Sequence, residues 1–142
     1  MRRLDVVAGE WIDRARSVSF MFEGRRLEGF QGDTISSALA ANGVRLFGRS
    51  FKYHRPRGLF SAANHDVNAM FQVESGGRNV PNVRGDVRAL EAGMTVTAVN
   101  TSGGLERDRM AVLDRFSRFL PVGFYYKAFH SKRWFPRWER MI

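Results

Sequence analysis

Between Ser17 and Gly43 the apolar residues change their spacing once, and this change narrows the possible folds more than any other feature. Val18, Phe20 and Phe22 alternate with Ser19 and Met21, the period of two expected of a strand with one buried side. Glu23-Gly24-Arg25 predicts a turn and Arg26 to Gly29 a returning strand, so the segment reads as a β-hairpin. The run that follows, from Gly32 to Gly43, reads as a helix. Asp33 or Thr34 is its candidate N-cap, Gly43 its left-handed stop, and Ile35, Ala38 and Leu39 share one face. Such a helix lies on the sheet that the hairpin begins.

The rest of the chain is read around that unit. Residues 1–16 show little pattern and are taken as a lead-in. Residues 44–66 have no steady period and are punctuated by Gly48, Pro56 and Gly58, with Arg55 pushed towards an extended conformation by the proline after it. They predict a long, ordered, basic loop. Residues 69–74 read as a strand, Gly76-Gly77 as a turn and Asn79 to Arg84 as an edge segment. Val87 to Leu90 and Met94 to Val99 read as two more short strands. Hairpin, helix, long loop and short strands are the order of a β-grasp domain, an α+β fold spanning residues 17–102. From Gly103 the pattern changes. Met110, Leu113, Phe116 and Leu120 form an apolar stripe on a predicted helix, and residues 103–142 are assigned to that helix and a docking tail.

Composition removes several classes of function. The chain of 142 residues contains no cysteine, so it supplies no disulfide, thiolate zinc site, Cys-ligated iron–sulfur cluster or cysteine nucleophile. No apolar run reaches the roughly 18 residues of a membrane helix, and the N-terminus lacks the apolar stretch of a secretory signal. The expected location is cytoplasmic. The three histidines, His54, His65 and His130, have no metal-ligand spacing. His65-Asp66 has the types of a base with an orienting acid, although such a pair in a loop is more often a turn element. No catalytic residue and no metal ligand is expected in this chain.

The formal charge is +9, from 23 Lys and Arg against 14 Asp and Glu. No acid occurs between Asp33 and Asp66, whereas Arg45, Arg49, Lys52, Arg55 and Arg57 all fall there. Phe51 and Tyr53 interleave with these cations, a mixture that suits an interface or a phosphate-bearing cofactor. A solvated basic turn is the plain alternative, and stacking on single-stranded nucleic acid is another. No nucleic-acid-binding signature accompanies it. Of the 18 aromatic residues, eight lie between Phe119 and Trp138, beside Lys127, Lys132, Arg133 and Arg137. Rings and arginines are the favoured anchors of protein interfaces, so Phe124, Tyr125, Tyr126, Phe129, Trp134, Phe135 and Trp138 are the candidate partner-binding residues.

The strings GDTISSALAANGVRLFGRSFKYHRPRG and FLPVGFYYKAF, with Asn68-Ala69, Asn100, Trp134 and Trp138-Glu139, carry a resemblance. The chain resembles the N-terminal region of the α subunit of heterotetrameric sarcosine oxidase. It is similar, too, to small subunits of multimeric amine, opine and hydroxyproline dehydrogenases. The resemblance implies a ferredoxin-like β-grasp fold whose cousins hold a [2Fe–2S] cluster in the loop after the first helix. Without cysteine, that cluster is not expected here. In sarcosine oxidase α the equivalent segment runs on into a Rossmann domain, so a family polypeptide divided into subunits is implied.

The resemblance further implies a small non-catalytic subunit of a heteromeric flavin-dependent amine oxidoreductase. Its partners would be a larger flavin-binding Rossmann-type subunit and an amine-oxidising subunit. No cofactor is expected on this chain alone; FAD, with FMN or NAD as further candidates, would sit in the partners. Arg49, Ser50, Lys52, Tyr53, Arg55 and Arg57 are the candidates for contact with a dinucleotide held by the partner. The alternative function is a small basic protein binding single-stranded nucleic acid.

Overall fold

A computed structural model describes residues 3–61 and 65–119. Strands β1 (Asp13–Phe22) and β2 (Arg25–Gln31) form the hairpin, and helix α1 (Ile35–Ala41) follows. Glu23 and Gly24 both have positive φ, 49° and 74°, the conformation of a tight hairpin turn whose twist matches its strands. Two short strands, β3 (Gly48–Arg49) and β4 (Pro56–Arg57), pair antiparallel inside the basic segment. Strands β5 (Met70–Ser75), β6 (Arg78–Arg84) and β7 (Thr95–Ala98) complete the main sheet. Its order is β2-β1-β7-β5-β6. β1 and β7 run parallel, and every other pairing is antiparallel. This is the α+β, β-grasp arrangement.

The core lies between the sheet and α1. Phe20 and Phe22 of β1, Phe71 and Val73 of β5 and Val96 of β7 pack against Ile35, Ala38 and Leu39. Phe47, Leu90 and Met94 close the ends of this layer. Phe71 is the hub. Its ring meets Phe22 edge-on, with centroids 6.0 Å apart, and lies 5.9 Å from Phe47. Each fully buried ring of this kind contributes roughly 2–3 kcal/mol. The period-two reading of Val18 to Phe22 and the shared face of α1 correspond to this layer.

Three segments depart from expectation. β1 begins at Asp13, inside the expected lead-in, because Asp13 pairs with Gln31 across a register shift before Ser17. Arg3 also reaches buried Asp33, at 2.5 Å, and covers the Phe30 ring. Val87 to Leu90 is not a strand; within it only Ala89 forms a bridge, to Thr34. The first-turn amides of a helix have no partner inside it, and this stretch meets that need. Arg88 accepts from the Ile35 amide at 3.0 Å and Gly85 from that of Ser36 at 2.9 Å. Lastly, the expected helix after Gly103 is one turn, α2 (Val112–Arg115), between 3-10 turns at Arg109–Ala111 and Ser117–Phe119. Met110, Val112 and Phe116 remain exposed. An apolar stripe supports a long helix when it has a surface to cover, and among the described residues it has none. Leu120 lies outside them.

Candidate functional site

The segment from Val44 to Asn68 leaves α1 and returns to β5, and its geometry rests on one buried cation. Arg49 is 8% exposed. Its guanidinium donates to the carbonyls of Leu105 at 2.8 Å, His54 at 2.9 Å and Glu106 at 3.2 Å. Asp108 lies 3.6 Å from Arg49 Nε and 2.5 Å from His54 Nδ1. The same carboxylate accepts the amides of Ser102 and Met110. Burial pushes the Asp108 carboxyl up, but His54 and the two amides outweigh this and hold it below the ordinary 3.8. Arg49, His54 and Asp108 thus tie the basic loop to the segment after β7.

Above this tie the loop makes a tight turn. The Ser50 carbonyl accepts from the His54 amide, Ser50 N donates to the Arg55 carbonyl, and Ser50 Oγ accepts the Arg55 amide. His54 adopts φ 53°, a left-handed conformation uncommon outside glycine and a few polar residues. The Tyr53 ring lies 4.9 Å from Lys52 Nζ and 4.7 Å from the Arg55 guanidinium carbon. Arg55 also pairs with Asp114 of α2 at 2.6 Å, and Arg57 donates to Asn68 at 3.1 Å. Ser50, Tyr53, Arg55, Arg57, Leu59 and Phe60 line an open groove of about 470 Å³. Phe51 and Phe60 are 80% and 82% exposed.

A second buried carboxylate shapes the far end of the loop. Asp66 accepts the amides of Phe60, Ser61 and Asn68 at 2.8, 3.2 and 2.8 Å. Its own amide donates to Asp86, which Arg84 holds at 2.6 Å. Burial raises the Asp66 carboxyl, and the three amides more than reverse this. The Asp86 carboxyl is raised by burial as well and brought below its usual value by Arg84 and the Asp66 amide.

The six loop residues singled out in the sequence therefore divide. Ser50, Tyr53, Arg55 and Arg57 line the groove and Lys52 covers Tyr53, whereas Arg49 is buried with its donors on the chain's own carbonyls. His65 is exposed and Asp66 is buried as a loop anchor. The roles of His54, Asp86 and Asp108 are new from the structure, whereas His65-Asp66 carries the signal of a turn element in the sequence, and that is the part Asp66 plays. Phe124, Tyr125, Tyr126, Phe129, Trp134, Phe135 and Trp138 all lie outside the described residues.

Sheet order, the parallel β1–β7 pair and the helix laid across them define a ferredoxin-like β-grasp domain. Residues 15–101 match the family described as a 2Fe-2S iron-sulfur cluster binding domain, and the chain belongs to that family. It is similar to sarcosine oxidase subunit alpha of Rhizobium meliloti, with 44% identity over 130 residues, 92% of this chain and 13% of that protein. The same subunit of a Corynebacterium species is 36% identical over 98 residues, covering 69% of this chain and 9% of the relative. The crystal structure of L-proline dehydrogenase from P. horikoshii superposes with a TM-score of 0.52 at 24% identity. It covers 76% of this chain and 20% of that one. The chain thus spans about an eighth of the first relative's length.

The residues present do not fit the cluster after which the family is described. A plant-type [2Fe–2S] cluster is held by four cysteine thiolates, and this chain has none. Among the described residues no group of three or more His, Cys, Asp or Glu converges to hold a metal. The loop after α1 is packed instead by the Phe47 ring and the Arg49 guanidinium. No helix among the described residues is long and apolar enough to cross a membrane.

Proposed function

We propose that this chain is a small, non-catalytic subunit of a heteromeric flavin-dependent amine oxidoreductase. The substrate would be an N-methylated or secondary amino acid. The observation that carries this reading is the 44% identity to sarcosine oxidase subunit alpha across 92% of the chain. The missing thiolates agree with it, since a domain of this fold without its own redox centre is left with a structural role. Oxidation at the carbon bonded to nitrogen belongs to a flavin held by the larger subunits. This chain braces the Rossmann-type subunit and works in the cytoplasm. Its aromatic tail supplies docking anchors, and the cations of its basic loop other than the buried Arg49 approach a dinucleotide that the partner holds.

The test is purification of the tagged full chain from its native host, with the accompanying proteins identified by mass spectrometry and bound flavin read by absorbance. A flavoprotein in fixed ratio to the chain is the expected result. A monodisperse, colourless monomer overturns the proposal.

A further inference from the structure

Two phenylalanines more than three-quarters exposed on the loop between α1 and β5 are not explained by the fold. Each ring in water carries a penalty that burial would remove, and nothing in the core needs them. They stand in an ordered setting. Arg49, His54 and Asp108 secure the loop from beneath, and Asp66 fixes the amides of Phe60 and Ser61. Phe60 and Leu59 line the groove with Arg55 and Arg57, and Phe51 sits on the same turn, between Ser50 and Tyr53. Rings and arginines on a preorganised surface are the composition of interface hot spots.

We infer that Phe51, Leu59 and Phe60, flanked by Arg55 and Arg57, form a docking face for a carboxylate-bearing surface of the flavoprotein subunit. The inference rests on the function proposed above and adds the surface that makes the contact. Charge complementarity identifies the occupant. The stretch between Asp33 and Asp66 carries five cations and no acid. Arg57 donates to a neutral amide, and no carboxylate among the described residues forms an ion pair with it. An acidic partner surface offers its charge to such a face, whereas a basic one is repelled.

A protein suits the face better than a nucleic acid does. The Tyr53 ring already meets two cations, Lys52 and Arg55, so it is not a bare platform for a base. Asp114 sits 2.6 Å from Arg55 and is itself half exposed, so Arg55 already has its carboxylate and Arg57 is the residue that meets the partner's. With Arg55 paired to Asp114 and Arg49 buried against Asp108, two of the five cations are withdrawn from a strand whose binding depends on neutralising phosphates.

The experiment compares tagged full chain, wild type against Phe51→Ala/Phe60→Ala and against Arg57→Glu, by flavin retained per chain on purification from the native host. Trp11→Ala is the control, because Trp11 is 92% exposed but precedes β1 and lies outside this face. Both test variants are expected to retain about ten-fold less flavin, the loss of one interface anchor. The control is expected to match wild type, and thermal melts of the variants to stay close to it because these side chains are exposed. If wild type carries the flavoprotein and both test variants carry as much, this face is not the contact and the proposed function still stands. If wild type carries no flavoprotein, the proposed function falls and this inference falls with it. Nuclease-sensitive nucleic acid on the wild type that Arg57→Glu sheds would overturn the inference in favour of nucleic-acid binding.

Discussion

At the scale of single residues, the loop's chemistry turns on which cation points inward. Arg49 satisfies three carbonyls and faces Asp108, so it acts as part of the core although it is one of the chain's 23 basic residues. Arg49→Met leaves those carbonyls without their donor and takes one cation from the buried Asp108, which keeps His54 and two amides. It should destabilise the fold by about 3 kcal/mol, read from the urea midpoint; an unchanged midpoint would mean that water replaces the guanidinium. Asp66, Asp86 and Asp108 all titrate below 3.8 when folded. A carboxylate depressed in this way adds stability that is complete above its unfolded value and is lost as pH falls through its folded one. Stability should therefore hold down to about 3.8 and drop below it. Asp66→Asn should lower the neutral midpoint and make the acid decline shallower; a parallel decline would remove Asp66 from the acid response. None of this division was legible in GRSFKYHRPRG, because four cations spread over eleven loop residues carry no periodicity to separate inside from outside.

At the scale of elements, α1 is where local signals and tertiary contacts agree. Thr34 Oγ1 accepts the Ser37 amide at 3.2 Å while Ser37 Oγ accepts the Thr34 amide at 2.9 Å, which decides for Thr34 between the two caps, Asp33 and Thr34, that the residue types allow. The other half of the helix start is supplied from Gly85 and Arg88, about 50 positions along the chain, and could not be read locally. Gly85 is packed so closely that a Cβ there would run into the edge of the Phe71 ring and sit 2.7 Å from Ser36 Oγ. Gly85→Ala should therefore cost about 1–3 kcal/mol, the price of overpacking a core that cannot shift. Thermal unfolding checks it, and a wild-type melting temperature would show that the Phe71 ring has room to move. The same contrast explains the two misread segments. Val87 to Leu90 has strand composition but serves the helix start, and the stripe after Gly103 has helical spacing but no surface to lie on.

At the scale of the whole molecule, the fold belongs to a cluster-binding family and the chain lacks the ligands. Stability should be independent of iron: a chelator is expected to leave the melting temperature unchanged, and elemental analysis of the pure chain to find no stoichiometric iron. A chelator-sensitive melt would place a metal here after all. Assembly is a separate question. On the proposed function, Trp134→Ala or Trp138→Ala should weaken complex formation by about 2 kcal/mol, as removal of a central interface ring commonly does. Size-exclusion co-elution with the flavoprotein subunit measures it, and unchanged co-elution would transfer the anchoring to other residues.

The sequence by itself determined the hairpin, the capped helix, the strand from Met70, the absence of thiolate chemistry and the excess of positive charge. Each of these follows from residue types or from a period within about ten neighbours. Only the tertiary structure decided that β1 lies parallel to β7, that Arg49 is interior while Arg57 is not, and that Phe51 and Phe60 remain uncovered. Those outcomes depend on contacts between residues far apart in the chain, where burial and charge pairing are settled by the packed layers and no local pattern records them.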